Sequence, residues 1–159
     1  MPEIAFEDLT AGRVFDLGTV TVDTDEMVAF ARRFDPQPFH LDETAGKESI
    51  FGRLAASGWY TAGLWMRLYV DEVLLRSTAL GSPGGDEVAW PAPVFGGDVL
   101  TGKLEIVEAR RSRSKPWIGL ITLRAWMYRG DPADQDIVYR ARFTGMFGSR
   151  DQAPPAQES

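Results

Sequence analysis

A chain of 159 residues with 44% hydrophobic and 25% charged residues suits one globular domain with its own core, and a formal charge of -6 argues against nucleic acid as a main partner. It contains no cysteine, which excludes disulfides, thiolate nucleophiles and sulfur-ligated metals. The single histidine, His40, excludes a multi-histidine metal site within one subunit, so no metal is expected.

In chain order, the opening Met1-Pro2-Glu3-Ile4-Ala5-Phe6 has neither the basic start nor the apolar run of a secretory leader, and a cytoplasmic location is expected. Residues 13–22 read as a strand. Asp23 and Thr24 then carry helix-cap chemistry, and Met27, Val28, Phe30, Ala31 and Phe34 follow at near-helical spacing. Asp25 and Glu26 in the first turn and Arg32 and Arg33 in the last suit the helix dipole. The helix should end at Phe34, because Pro36 drives Asp35 out of the helical region. Residues 35–57 form a long connection with a short helical turn near 42–48, and a loop of that length in a compact domain is usually functional. From Gly58 a helix of about five turns is predicted with hardly any polar face, which implies burial on nearly every side. Arg67, Asp71 and Glu72 make it too polar to span a membrane.

The rest of the chain to residue 147 reads as strand. Residues 117–128 and 137–147 alternate apolar with polar side chains, 99–109 form a third, weaker strand, and Asp131-Pro132 marks a turn. Strands this long, following one apolar helix, suggest a curved antiparallel sheet wrapped around it, an α+β fold. Residues 1–147 make up the single domain, and 148–159, without apolar periodicity, read as a disordered tail. Two free sheet edges and a helix too apolar for one sheet to cover predict at least a dimer.

The sharpest local feature is Asp35-Pro36-Gln37-Pro38-Phe39-His40-Leu41-Asp42. Fully extended, its five-residue separation would place Asp35 about 17 Å from His40, but prolines 36 and 38 favour a rigid turn that could bring both onto one water. By position alone, Asp35 also reads as a helix-terminating loop residue and His40 as a satisfied polar group near the core. Gly58, in the first turn of the apolar helix, offers an unpaired N–H at a positive dipole end, and Ser57-Gly58 also reads as a plain N-cap pair.

The octapeptide resembles the hydratase motif of the MaoC-like acyl dehydratases: aspartate, four residues, histidine, an apolar residue and aspartate. Ala56-Ser57-Gly58-Trp59 and Pro93-Val94-Phe95-Gly96-Gly97-Asp98 follow in the family's order, so the resemblance covers roughly residues 8–147. It implies a hot-dog fold and a homodimer or larger homo-oligomer. It also implies reversible hydration of an acyl thioester carried on coenzyme A or an acyl carrier, with no further cofactor. Asp35 and His40 would be the catalytic pair gripping a water, and Gly58 the donor to the thioester oxygen. Such chemistry needs a base for water, an acid for the alpha carbon and a donor for developing charge. Ser57, Trp59 and Tyr60 would lie at the substrate, and the bulky Trp59, Tyr60, Trp65 and Met66 hint at a short or unusual acyl group. Arg111 and Arg113, within the one basic cluster, could meet the carrier's phosphates, though a solvated turn between two strands explains them somewhat better. Departures are Ser57 where many members have histidine, Met66 where R-specific hydratases place serine, and Gln37 for the usual asparagine.

Two other functions stay open. A hot-dog thioesterase would place a carboxylate on the central helix, where only Asp71 and Glu72 are available. A non-catalytic partner subunit of a dehydratase would be expected to lose the Asp35–His40 pair.

Overall fold

Local chemistry sets the first elements. The strand β1 (Val14–Thr21) leads into helix α1 (Thr24–Phe34), whose N-terminus is capped by the Asp23 carboxylate accepting from the Glu26 N–H at 2.8 Å. The connection that follows is not one loop with one turn: it holds α2 (Pro38–Leu41), opened by a proline at a position where no N–H is missed, and α3 (Glu43–Glu48), capped by Asp42. Helix α4 (Gly58–Glu72) comes next, then β2 (Ala79–Ala89), β3 (Val99–Arg111), β4 (Ile118–Arg129) and β5 (Ile137–Gly148). The computed structural model describes residues 2–134 and 136–154.

All strand pairs are antiparallel, in one sheet of order β1-β3-β4-β5-β2. The predicted alternation places Leu123, Ala125 and Met127 of β4 in the core with Leu100, Leu104 and Ile106 of β3. Arg124, on the opposite parity, faces out and pairs across the register with Glu105 at 2.8 Å. Helix α4 lies against this apolar face through Leu64, Trp65 and Tyr69, and Trp65 Nε1 donates to the Lys103 carbonyl at 3.0 Å. This is the hot-dog arrangement implied by the resemblance.

Three expectations need correction. Helix α4 is not buried all round: Trp59 is 59% and Met66 44% exposed, because the sheet covers one side and α1 only part of another. The edge strand β2 falls within the general expectation of strand to residue 147 but was not picked out as an element. Its residues are exposed on both faces and its register shifts three times, with Gly81 and Gly84 at φ of 118° and 139°, so no period-2 pattern exists to be read. The disordered tail does not begin at 148: Gly148 closes β5, Ser149 N–H donates to the Trp117 carbonyl, and Arg150 pairs with Asp8 at 2.6 Å. Residues 155–159 lie outside the described residues.

Candidate active site

Helix α1 ends as Asp35 leaves the helical region (φ -148°, ψ 64°), its N–H still bonded to the Ala31 carbonyl. Gln37 N–H then donates to the Asp35 carbonyl and His40 N–H to the Gln37 carbonyl, so the chain doubles back within one turn. The result brings His40 Nε2 to 3.4 Å from Asp35 Oδ2, inside the separation one water can bridge.

The histidine is held from behind. Its Nδ1 lies 2.7 Å from the Ala55 carbonyl, which can only accept, so Nδ1 carries the proton and donates. In the neutral ring the lone pair then belongs to Nε2, the nitrogen facing Asp35. Phe39 meets the imidazole edge-on at 4.6 Å and Phe51 stacks at 6.3 Å, fixing the ring plane. Asp35 accepts from Ser57 Oγ and from Gln37 Nε2, both at 2.7 Å. Burial alone would raise its pKa, but the Ser57 and Gln37 hydrogen bonds and the His40 charge outweigh it and hold the carboxyl below its ordinary range.

Ser57 precedes α4 yet does not cap it, since its hydroxyl is turned to Asp35. The first N–H groups of α4, Gly58 among them, therefore lack a side-chain acceptor at the helix's positive end. Gly58 also answers to sterics: a Cβ there would lie 2.7 Å from the indole of Trp90. Together Phe39, His40, Gly58, Thr61, Trp90 and Val94 line a cleft of about 450 Å³. Its wall, residues 90–94, is anchored twice: the Ala56 N–H donates to the Val94 carbonyl at 2.8 Å, and Arg129 Nη1 donates to the Pro93 carbonyl at 2.9 Å and, just beyond the wall, to Asp98 Oδ2 at 2.7 Å. A second cavity of about 470 Å³, lined by Ala62, Trp65, Met66, Tyr69, Tyr139 and Phe143, continues along the same side of α4.

The structure thus gathers Asp35, His40, Ser57 and Gly58 and separates the rest. Trp59 lies outside the cleft, edge-on to Trp90 at 4.8 Å. Tyr60 faces α1 and donates to Glu26 Oε2 at 2.7 Å, because its position on α4 points at that helix. Arg111 sits at the far end of β3, roughly 40 Å of strand from its start, bonded to Glu7, Ser149 and the Pro116 carbonyl. Arg113 is exposed in the turn beyond it. Within one subunit neither arginine reaches the cleft. Asp71 and Glu72 pair with Arg67 and Arg76 at the opposite end of α4, about 20 Å along the helix from Gly58. Thr61 and Trp90 were not anticipated. Thr61 was accessible to helical spacing, three residues after Gly58, whereas Trp90 follows a strand with no readable pattern.

Among the described residues, no cluster of three or more His, Asp or Glu side chains is placed to hold a metal ion, and no helix is long and apolar enough to cross a membrane. The family description "MaoC like domain" matches residues 8–119. A 3-hydroxybutyryl-CoA dehydratase of Methylorubrum extorquens is 33% identical over 116 residues, covering 68% of this chain and 69% of that protein. An uncharacterized protein of Bacillus subtilis is 26% identical over 117 residues, covering 74% and 82%. The crystal structure of a MaoC-like dehydratase from Rhodospirillum rubrum superposes with a TM-score of 0.83 at 35% identity, covering 92% of this chain and 98% of that one.

Proposed function

The chain belongs to the MaoC-like dehydratase family, and on that premise we propose that it is a hydro-lyase that adds water reversibly across the conjugated double bond of an enoyl thioester. The observation that carries the reading is the Asp35–His40 pair, 3.4 Å apart with the imidazole tautomer fixed, whose histidine lines the same cleft as Gly58 at the start of α4.

A water between the two groups gives a proton to His40 Nε2 as its oxygen bonds to the beta carbon. The electron pair of the double bond moves toward the thioester oxygen, where the Gly58 N–H and the helix dipole receive the charge. The proton on His40 then passes to the alpha carbon and the imidazole is neutral again, with one water added. Asp35, held below its ordinary pKa, stays ionised: it orients the water and stabilises the transient imidazolium rather than supplying a proton. Dehydration runs the same steps backwards.

The proposal extends to coenzyme A or an acyl carrier as the thioester carrier, to no further cofactor, and to a cytoplasmic location. It also includes a homodimer or larger homo-oligomer, supported by the exposure of Trp59 and Met66 on α4 and of Leu80 and Val88 on the free edge strand β2. A panel of enoyl thioesters should lose conjugation without releasing thiol. Thiol release would favour a thioesterase, and neither signal a binding subunit; either result overturns the reading. Light scattering at low micromolar concentration tests assembly, and a fully active species of 17.6 kDa would refute it.

A further inference from the structure

Thr61 is 1% exposed and lines the cleft, yet its hydroxyl makes no hydrogen bond among the described residues. Threonine inside a helix usually returns its hydroxyl to the carbonyl four residues back; here the Ser57 carbonyl accepts only the Thr61 N–H, at 3.2 Å. Among the described residues no wholly inaccessible side-chain nitrogen or oxygen lacks a partner, so the Thr61 hydroxyl owes its freedom to the opening it has on the cleft. A valine would fill the same space without a donor to satisfy. Thr61 stands three residues after Gly58 on the same side of α4, and helical side chains lean toward the N-terminus, so its hydroxyl leans toward the turn that begins with the free Gly58 N–H. Phe39, Phe51 and Trp90 line the same cleft and give it apolar walls, and a lower local dielectric strengthens a hydrogen bond made there.

We propose that Thr61 is a second hydrogen-bond donor to the thioester carbonyl oxygen, alongside the Gly58 N–H. Charge that develops on that oxygen is then met by one backbone and one side-chain donor. The inference rests on the reading of this cleft as an enoyl-thioester site and identifies a catalytic residue within it.

Two readouts test it. With unsubstituted enoyl-CoA substrates, Thr61→Val should lower kcat by about 10- to 100-fold while KM stays within about twofold, and Thr61→Ser should restore most of the rate. Independently of turnover, the infrared carbonyl band of a bound, unreactive saturated acyl-CoA labelled at the carbonyl carbon should move to higher wavenumber in Thr61→Val. Thr61→Ala serves if the valine variant does not fold. An unmoved carbonyl band overturns the inference, as does a rate loss confined to acyl groups bearing a hydroxyl or carboxyl, which would make Thr61 a reader of the acyl chain. A wild-type protein that binds the saturated thioester but hydrates nothing would refute the hydro-lyase reading, while the band shift still decides for or against Thr61. Failure of the wild type to bind it at all overturns both.

Discussion

Among the carboxylates held below their ordinary pKa in this fold, Glu7 and Asp35 differ in the charge that stands beside them. Glu7, near the N-terminus, starts from about 4.5; burial would raise it, but hydrogen bonds from Ser149, the Arg150 N–H and Arg111 bring it to about 2. Its neighbour Asp8 is gripped by Arg150. At Glu7 neutral donors lead and the Arg111 guanidinium adds to them, whereas at Asp8 the Arg150 guanidinium leads; both groups tie the start of the chain to the end of β3 and the residues after β5. Asp35 is lowered too, but its fixed donors are the neutral Ser57 and Gln37, and its one charged neighbour is a histidine that can give its proton up. A carboxylate with a guanidinium fixed beside it is committed to structure. On the proposed mechanism, the one whose charged neighbour is a histidine keeps its charge available to a water and to the imidazole.

The largest test of that contrast is at the pair itself. Asp35→Asn and His40→Ala should each lower turnover by about a hundredfold or more, with circular dichroism and melting temperature near wild type. Normal activity in a folded variant would remove that residue from the mechanism. Ser57→Ala should have a smaller effect, about tenfold in turnover. Losing its hydrogen bond lets the Asp35 pKa rise, so the acid limb of the kcat/KM profile should move to higher pH. A profile that drops without shifting would mean Ser57 only shapes the cleft.

At the other carboxylate the readout is stability. Glu7 has a folded pKa below its unfolded one, so its contribution is present above about pH 4.5 and is lost as pH falls toward 2. Glu7→Gln should flatten that part of the stability curve and leave turnover at neutral pH unchanged. Smallest of all, Arg150→Ala should lower the melting temperature slightly, since its ion pair with Asp8 is at the surface. A loss of turnover in either variant would erase the distinction between the two sites.

What could be read from sequence followed the reach of the physics. Helix α1 was legible end to end because its signals are local: Asp23 caps it and Pro36 stops it. Two prolines leave the chain between Asp35 and His40 few shapes, but position alone also fitted a loop residue and a core histidine, and the family resemblance singled out the pair. Tyr60 was misplaced because helical periodicity says that a face is apolar without saying what it meets, and α1 takes that face. Arg111 was misplaced because a basic cluster has no direction in sequence, and its partners Glu7 and Ser149 come from both ends of the chain. Strand β2 as a separate element and Trp90 were invisible for one reason: glycines and register shifts abolish alternation, and Trp90 lies just past that strand.

The Arg129 brace has a consequence on the timescale of amide exchange. Arg129 projects from the end of β4 and holds the Pro93 carbonyl, Asp98 and Asp136 at once, while the Val94 carbonyl receives the Ala56 N–H just ahead of α4. The cleft wall therefore has no hinge of its own: to open, it must release both the sheet and the helix start. In deuterium, the Ala56 amide should exchange as slowly as those of the central strands, and not at the faster rate of a surface loop. The Asp35–His40 pair would then sit opposite a wall that opens only when the domain does.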